Sequence, residues 1–324
     1  MRRYLDDGVL VEQPPGFMLV ERELGPGRSR RGLIVALDLE QYDYRDGARE
    51  LIRTTEGTDP SRLPPRIQVR REASLEVPHI MVLIDDPHRT VIEPLFERDL
   101  EQAYDVMLMS GGGRLRGWRV DSGIDDIASN LGALIKGDPP ILYAMGDGNH
   151  SFATAQAVWE QIRSELPRDH PARFAMVELV NLHDESLQFE PIHRFIYDVD
   201  PKALLDKMTA YGFVNTPGGQ HIPYITSTGR GDLYMPQPQF KLEVATLHDF
   251  LDQTDAKIDY IHGDETLARL VQRPDSIGFL LPGIGKHELF ESIRVDGATP
   301  RKTFSIGEAH EKRYYLECRR LRSR

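Results

Sequence analysis

Hydrophobic positions along this chain alternate between short continuous runs and stretches with helical spacing. The continuous runs predict strands at 33–37, 79–86, 104–109, 115–120, 141–145, 172–182 and 277–281. Apolar residues three and four positions apart predict helices at 91–103, 122–136, 149–166, 201–211, 247–254, 264–273 and 287–293. Residues 1–32, which contain Pro14-Pro15-Gly16 and Gly25-Pro26-Gly27, are typical of loops. The segment 215–239 has the composition of a loop or a small hairpin insertion.

The order of these elements indicates the fold class. Strand, helix and strand follow one another over 141–182, which favours a mixed α/β protein with a mixed sheet flanked by helices. We expect two lobes, an arginine-rich N-terminal lobe over 1–120 and a C-terminal lobe over 121–324. A single compact domain is the alternative.

Composition and charge narrow the classes of partner. The apolar fraction of 40% and the charged fraction of 28% are those of an ordinary globular protein. The net charge of -11 disfavours nucleic acid as a partner, because phosphate backbones bind to positive surfaces. No apolar run is long enough to cross a bilayer, and no secretory signal precedes the first strand, so no membrane partner is expected. A single cysteine, Cys318, excludes an intramolecular disulfide and predicts a cytoplasmic location.

Arginine is distributed unevenly along the chain. Residues 1–120 contain eighteen arginines and no lysine, and the first lysine is Lys136. A coding bias toward arginine accounts for this composition. The alternative is that some of the guanidinium groups form a pocket that binds an anion bidentately.

The segment Gly146-Asp147-Gly148-Asn149-His150-Ser151 lies between a predicted strand and an amphipathic helix. Its glycines permit a tight turn, and Asn149 or Ser151 can cap the helix, whose first turn attracts anions. Asp147 is a candidate base or Mg²⁺ ligand, and His150 is a candidate for proton transfer or phosphate contact. The alternative is a structural turn in which the Asp147 and Asn149 side chains satisfy backbone donors.

Two further segments carry candidate chemistry. Gly283-Ile284-Gly285-Lys286 also joins a strand to a helix, but His287 stands where a phosphate-binding loop of the common nucleotide-hydrolase type has Ser or Thr. An ordinary turn is the alternative there. His193 and Arg194 lie beside an apolar strand, where a structural histidine is the alternative. Histidine spacing does not favour a zinc site, whereas Mg²⁺ held with substrate phosphates is compatible with the sequence.

Several of these motifs occur together in one known family. The segments concerned are 146–151, 190–194, 259–263 and 300–309, with 53–58 as a weaker N-terminal match. With these segments the chain resembles the uncharacterised "domain of unknown function 1015" family of bacteria and archaea over most of its length. Many members have Asp-Gly-His-His-Arg at the central turn. This chain keeps Asp147, Gly148 and His150, and it has Asn149 and Ser151 at the other two positions.

The resemblance implies a ligand class. The family's turn is similar to the phosphate-gripping turn of ParB- and sulfiredoxin-like folds, some of which bind nucleotides and a few of which phosphorylate free serine. It implies ATP or ADP with Mg²⁺ as cofactor, bound at Gly148, Asn149 and Ser151. Ser151 replaces the arginine that would hold a phosphate bidentately. The residues expected to supply the missing charge or further contacts are Arg53, Arg62, Arg66, His193, Arg194 and Lys286.

Three functions are compatible with these features. The first is a small-molecule phosphotransferase that uses Mg²⁺, with Asp147 as metal ligand or base and His150 in proton transfer or γ-phosphate contact. The second is a ligand-sensing or regulatory protein that binds the same small molecule without turnover. The third is a metal-dependent hydrolase. DNA partitioning is disfavoured, since the chain is acidic and carries no evident basic recognition helix.

Overall fold

The chain folds into two units, and the first of them is discontinuous in sequence. The structure, a computed structural model, describes residues 2–45, 47–77, 79–307, 311 and 315–322. Unit 1 comprises Met1–Leu187 and Gly307–Arg324, and unit 2 comprises Gln188–Ile306. The expected boundary near residue 120 is therefore not the one observed. Strands on both sides of residue 120 pair within one sheet, which keeps them in the same unit.

Unit 1 is built on a mixed sheet flanked by helices. Its strands are β1 (Phe17–Gly25), β2 (Arg28–Asp38), β3 (Tyr42–Asp43), β4 (Ile52–Arg53), β5 (Leu75–Glu76), β6 (Met81–Ile84), β7 (Gln102–Met107), β8 (Arg114–Val120), β9 (Tyr143–Asp147), β10 (Phe174–Asn181) and β17 (Arg319–Arg320). Its helices are α1 (Arg2–Asp6), α2 (Pro64–Glu72), α3 (Ile124–Ala133) and α4 (Asn149–Ile162). Within the described ranges, nine strands form one sheet in the order β3-β4-β9-β6-β10-β2-β1-β8-β7, and β5 pairs with β17. The predicted mixed α/β class is confirmed.

The core of unit 1 explains where α4 begins. The apolar parts of the central strands β2 and β10 supply two hydrophobic clusters, with Leu33 and Val35 in one and Ile34 and Met176 in the other, because both faces of the sheet are covered there. Helix α4 buries Phe152, Ala155 and Trp159 in the same core. The ring of Phe152 meets Tyr42 edge-on, with ring centroids 4.8 Å apart. This packing fixes the first turn of α4 directly after the end of β9.

Two predictions about unit 1 were wrong for identifiable reasons. Residues 1–32 are not mainly loops, because they contain β1 and the start of β2. Charged residues such as Arg22 interrupt the apolar pattern of β1, yet Arg22 is itself buried. The predicted helix over 91–103 is instead a short 3₁₀ turn, Glu93–Glu97, followed by β7. The turn ends at Arg98, whose φ of -86° and ψ of 150° are those of extended backbone, so the chain continues toward β7 rather than into a longer helix.

Unit 2 is a second, smaller α/β arrangement. Its strands are β11 (Phe189–Tyr197), β12 (Gln220–Thr226), β13 (Gly229–Met235), β14 (Lys257–His262), β15 (Ser276–Phe279) and β16 (Phe304–Ile306). Its helices are α5 (Pro201–Tyr211), α6 (Glu243–Leu251), α7 (Asp264–Leu270) and α8 (Lys286–Asp296). The segment 215–239 holds the hairpin of β12 and β13, and β12 also pairs with β15. No helix in the described part of the chain combines the length and apolar character that crossing a membrane requires.

Candidate functional site

The turn after β9 meets the loop after β4 at one edge of the large sheet. Strands β4 and β9 are parallel neighbours, with Ile52 opposite Tyr143 and Arg53 opposite Ala144. The carboxyl ends of parallel neighbours lie at the same edge, where open α/β sheets commonly bind ligands. The first turn of α4 and residues 54–59 therefore come together in unit 1.

Gly148 makes the sharp connection from β9 into α4. Its φ is 93°, a left-handed value that favours glycine, and it is the N-cap of α4. Asp147 Oδ1 accepts a hydrogen bond from the Gly148 N–H at 2.7 Å. The expected capping by Asn149 or Ser151 is not formed, because both residues already lie inside the helix and α4 has no side-chain cap. Asp147 is thereby placed at the end of β9, beside the start of the helix.

We expect the Gly148→Ala substitution to destabilise unit 1 by about 1–3 kcal/mol. An alanine Cβ at this position would lie 3.1 Å from Ile80 Cα, in addition to the strain of a positive φ. Gly27→Ala is the matched control, since Gly27 has φ of 70° and no atom near the Cβ position. Chemical denaturation of both variants measures the difference. Equal losses of stability in the two variants would show that the backbone near Ile80 moves and relieves the close contact with the alanine Cβ.

Hydrogen bonds tie the first turn of α4 to the loop after β4. The Thr54 hydroxyl lies 2.9 Å from Asn149 Oδ1. The Asp59 N–H donates to His150 Nε2 at 3.2 Å, which makes Nε2 an acceptor and the imidazole ring neutral. Two residues that the sequence singled out, Asn149 and His150, are therefore held against the same loop.

Ser151 contacts a residue that sequence reasoning did not assign to the site. Its Oγ lies 2.7 Å from Nε2 of His79, just before β6. Strand β6 is the antiparallel neighbour of β9, with Met81 opposite Asp147, so the sheet brings His79 beside the turn. Residues 79 and 151 are far apart in sequence, and the pairing of β6 with β9 carries no local sequence signal.

The candidate arginines occupy different positions relative to the turn. Arg53 is buried and donates to the carbonyls of Glu50 and Pro140, each at 2.9 Å. Both carbonyls precede the strands β4 and β9, so this guanidinium points away from the turn. Arg62 lies 3.5 Å from the Asp59 carboxylate, and its side chain is 52% exposed. Arg62 therefore lies beside the loop that holds His150, and Arg66 donates to its carbonyl oxygen.

His193 belongs to unit 2, where both of its ring nitrogens are used. Its Nε2 lies 2.9 Å from Asp264 Oδ1, and its Nδ1 accepts the Leu281 N–H at 3.1 Å. The ring is almost fully buried, whereas Asp264 is largely exposed. Such a histidine joins β11, α7 and the end of β15, which is the contact pattern of a structural residue.

Arg194 is fully buried in unit 2. Its Nε donates to His248 Nε2 at 2.7 Å, and its guanidinium carbon lies 4.8 Å from the ring centroid of Tyr260.

Lys286 is the first residue of α8, and the preceding Gly285 N–H donates to Glu288. The segment 300–309 is one of the motifs that the chain shares with the family. Within it, residues Phe304–Ile306 form β16, and residues 308 and 309 lie outside the described residues.

A cavity in unit 1 lies apart from the turn. A cavity of about 1310 Å³ lies between α2 and the C-terminal half of α4, lined by residues such as Ile67, Arg71 and Ile162. None of the candidate site residues lines it. Across the described ranges, no group of three or more His, Cys, Asp or Glu side chains is arranged to hold a metal ion.

Comparison with known proteins relates the chain to one family and to several distant structures. The sequence profile of a family described as "Protein of unknown function (DUF1015)" matches residues 1–314. No curated protein sequence matches significantly.

Similar solved structures include SbnI with a C-terminal truncation from Staphylococcus aureus, at 8% identity and a TM-score of 0.47, covering 85% of this chain and 83% of that one. A conserved hypothetical protein from Pyrococcus furiosus is 11% identical, with a TM-score of 0.43 and coverage of 85% and 91%. A free serine kinase in complex with AMP is 10% identical, with a TM-score of 0.46 and coverage of 85% and 87%.

Proposed function

The chain belongs to the DUF1015 family, and we propose that it binds a nucleotide at the turn between β9 and α4 and transfers a phosphoryl group from it. The observation that carries the proposal is the junction of the loop after β4 with the first turn of α4. Anions are stabilised at such a helix start, and two contacts, Thr54 to Asn149 and Asp59 to His150, hold the junction together. The single cysteine favours a cytoplasmic setting.

Arg62 is the arginine that we propose for phosphate binding. Its guanidinium is about half exposed and pairs with Asp59, whose backbone contacts His150. Arg53 and Arg194 are buried and donate to groups of the protein itself. The charge that Ser151 lacks is therefore supplied from the neighbouring loop. We also propose that the turn between β9 and α4 is similar to the phosphate-gripping turn of ParB- and sulfiredoxin-like folds.

Asp147 fits the role of Mg²⁺ ligand. Mg²⁺ bound with phosphates needs only one or two carboxylates from the protein and keeps several waters. Asp147 stands at the end of β9, and its Oδ1 is oriented by the Gly148 N–H. When bound, Mg²⁺ neutralises phosphate charge. The chain's own contribution is to position the phosphates and to place His150 beside them.

Isothermal titration calorimetry with AMP, ADP and ATP in Mg²⁺ buffer tests this proposal. We expect binding that Asp147→Asn and His150→Ala each weaken by about tenfold or more, a loss of about 1.4 kcal/mol. Asp125→Asn and His88→Ala are matched controls, because both residues are exposed in unit 1 outside the junction, and they should bind as the native chain does.

Three outcomes contradict all or part of the proposal. The absence of heat with every nucleotide would contradict nucleotide binding. Binding without any product in mass spectrometry after long incubation would favour a ligand-sensing protein. Activity that needs a transition metal and no nucleotide would favour a hydrolase.

A further inference from the structure

The contact between Ser151 and His79 has the form of a nucleophile beside its general base. Ser151 Oγ and His79 Nε2 are 2.7 Å apart, within the range for such a pair. The other ring nitrogen of His79, Nδ1, lies 3.3 Å from the Val77 carbonyl oxygen. The Val77 carbonyl is thus the third group, which orients the imidazole of His79.

The hydrogen-bond partners of His79 determine which atoms of the pair carry the protons. A carbonyl oxygen only accepts, so Nδ1 of His79 carries the proton that is donated to Val77. In the neutral ring Nε2 is then an acceptor, and the Ser151 hydroxyl donates to it. The lone pairs of Ser151 Oγ remain available for attack, and the ring can take the hydroxyl proton.

The position of the pair is suited to an incoming electrophile. Ser151 lies in the first turn of α4 and is half-buried, whereas His79 is exposed. Among the described residues, the partner of the Ser151 hydroxyl is the imidazole rather than a backbone N–H of the helix start. The hydroxyl is therefore not consumed in capping α4, and the anion-stabilising end of the helix lies beside it.

We propose that Ser151 is a nucleophile that accepts a phosphoryl group from a nucleoside triphosphate, with His79 as its general base. Ser151 Oγ forms a bond to the γ-phosphorus, the bond from that phosphorus to the bridging oxygen breaks, and the nucleoside diphosphate leaves. The hydroxyl proton passes to Nε2 of His79, and the product on the chain is phosphoserine. The identity of the donor rests on the proposed function, whereas the nucleophile–base pair does not.

A fluorophosphonate probe tests the pair without any nucleotide. Attack by Ser151 Oγ on the probe phosphorus releases fluoride and leaves a stable adduct, which peptide mass spectrometry locates. We expect labelling at Ser151, no label at this position in Ser151→Ala, and labelling slowed by about 100-fold in His79→Ala. Added imidazole should restore part of the rate in His79→Ala, because a free base can take the proton. His88→Ala, which removes another exposed histidine, should label like the native chain.

Incubation of the native chain with ATP and Mg²⁺ tests the phosphoryl step. We expect the gain of one phosphate, located at Ser151 and lost in Ser151→Ala. Probe labelling together with phosphoserine supports the inference. An unlabelled Ser151, or a labelling rate that does not depend on His79, overturns it even when nucleotide binds. Labelling in a chain that gives no calorimetric heat with nucleotide would support the pair and overturn the proposed donor, and binding without phosphoserine would overturn the phosphoryl step alone.

Discussion

Replacing Glu178 with alanine is expected to lower the free energy of unfolding of unit 1 by about 3–5 kcal/mol. Glu178 on β10 receives two hydrogen bonds from Arg30 on β2, each at 2.9 Å, and both residues are buried. The Tyr315 hydroxyl donates to the same carboxylate at 2.6 Å. The substitution removes the acceptor of all three bonds.

Charge explains why this loss is large. Burial alone would raise the pKa of Glu178, but the charge and hydrogen bonds of Arg30 outweigh burial and hold the pKa below its ordinary value. The carboxylate is therefore ionised beside two buried cations, Arg30 and Arg22. Alanine at position 178 would leave the Arg30 guanidinium in a region of low dielectric without the carboxylate with which it pairs.

Tryptophan fluorescence during chemical denaturation measures this effect, because both tryptophans, Trp118 and Trp159, belong to unit 1. The matched control is Glu185→Ala. Glu185 also pairs with an arginine, Arg89 at 3.0 Å, but this pair is exposed to water. The control should leave the transition midpoint unchanged within error, since exposed pairs contribute little. A similar midpoint for both variants would contradict the role assigned to the buried pair.

Lowering the pH from about 7 to about 4 is expected to destabilise unit 2 by about 3 kcal/mol through His248. Burial, and then the charge of Arg194, lower the pKa of His248 from 6.5 to about 4. Between these two values the unfolded chain binds a proton that the folded chain does not. Stability is therefore highest above pH 6.5 and falls as the pH decreases toward 4.

His248→Gln is the variant that isolates this effect. Its amide oxygen can still accept the Arg194 Nε hydrogen bond, but glutamine does not titrate. We expect the variant to lose most of the pH dependence of unit 2, measured by hydrogen exchange of the β11 and β14 amides at several pH values. His221→Gln is the control, because His221 is exposed on the β12–β13 hairpin. The same pH dependence in native chain and His248→Gln would exclude His248 as its source.

Local sequence patterns predicted the elements on which the candidate site lies. Apolar spacing identified α4, and the run before Gly146 identified β9, because both signals are contained within a few residues. Strand β1 was missed, since charged residues such as Arg22 are buried there by partners from distant segments. A charge whose partner is remote gives the same local pattern as an exposed loop.

Long-range pairing also decided which site residues could be anticipated. The contact of Ser151 with His79 depends on β6 lying next to β9. Arg194 was expected to bind phosphate, but the sequence around it does not reveal that β14 and α6 enclose the guanidinium. Asp147 and His150 as catalytic residues remain predictions.

The arginine-rich composition of residues 1–120 has a structural counterpart that composition alone does not reveal. Many of these guanidinium groups are paired with carboxylates of the chain itself. Such pairs include Arg30–Glu178, Arg70–Glu76, Arg114–Asp105 and Arg116–Glu21. These pairs join neighbouring strands and segments of unit 1, so these four arginines contact carboxylates of the chain itself.

Because unit 1 is discontinuous in sequence, its C-terminal segment is synthesised on the ribosome after the whole of unit 2. Strand β17 pairs with β5, and Arg319 donates to Glu76 and to the Phe174 carbonyl. Translation delivers every residue of unit 2 before it delivers β17. The nascent chain can thus fold unit 2 before β17 is available to pair with β5, and unit 1 is the last of the two units to be completed.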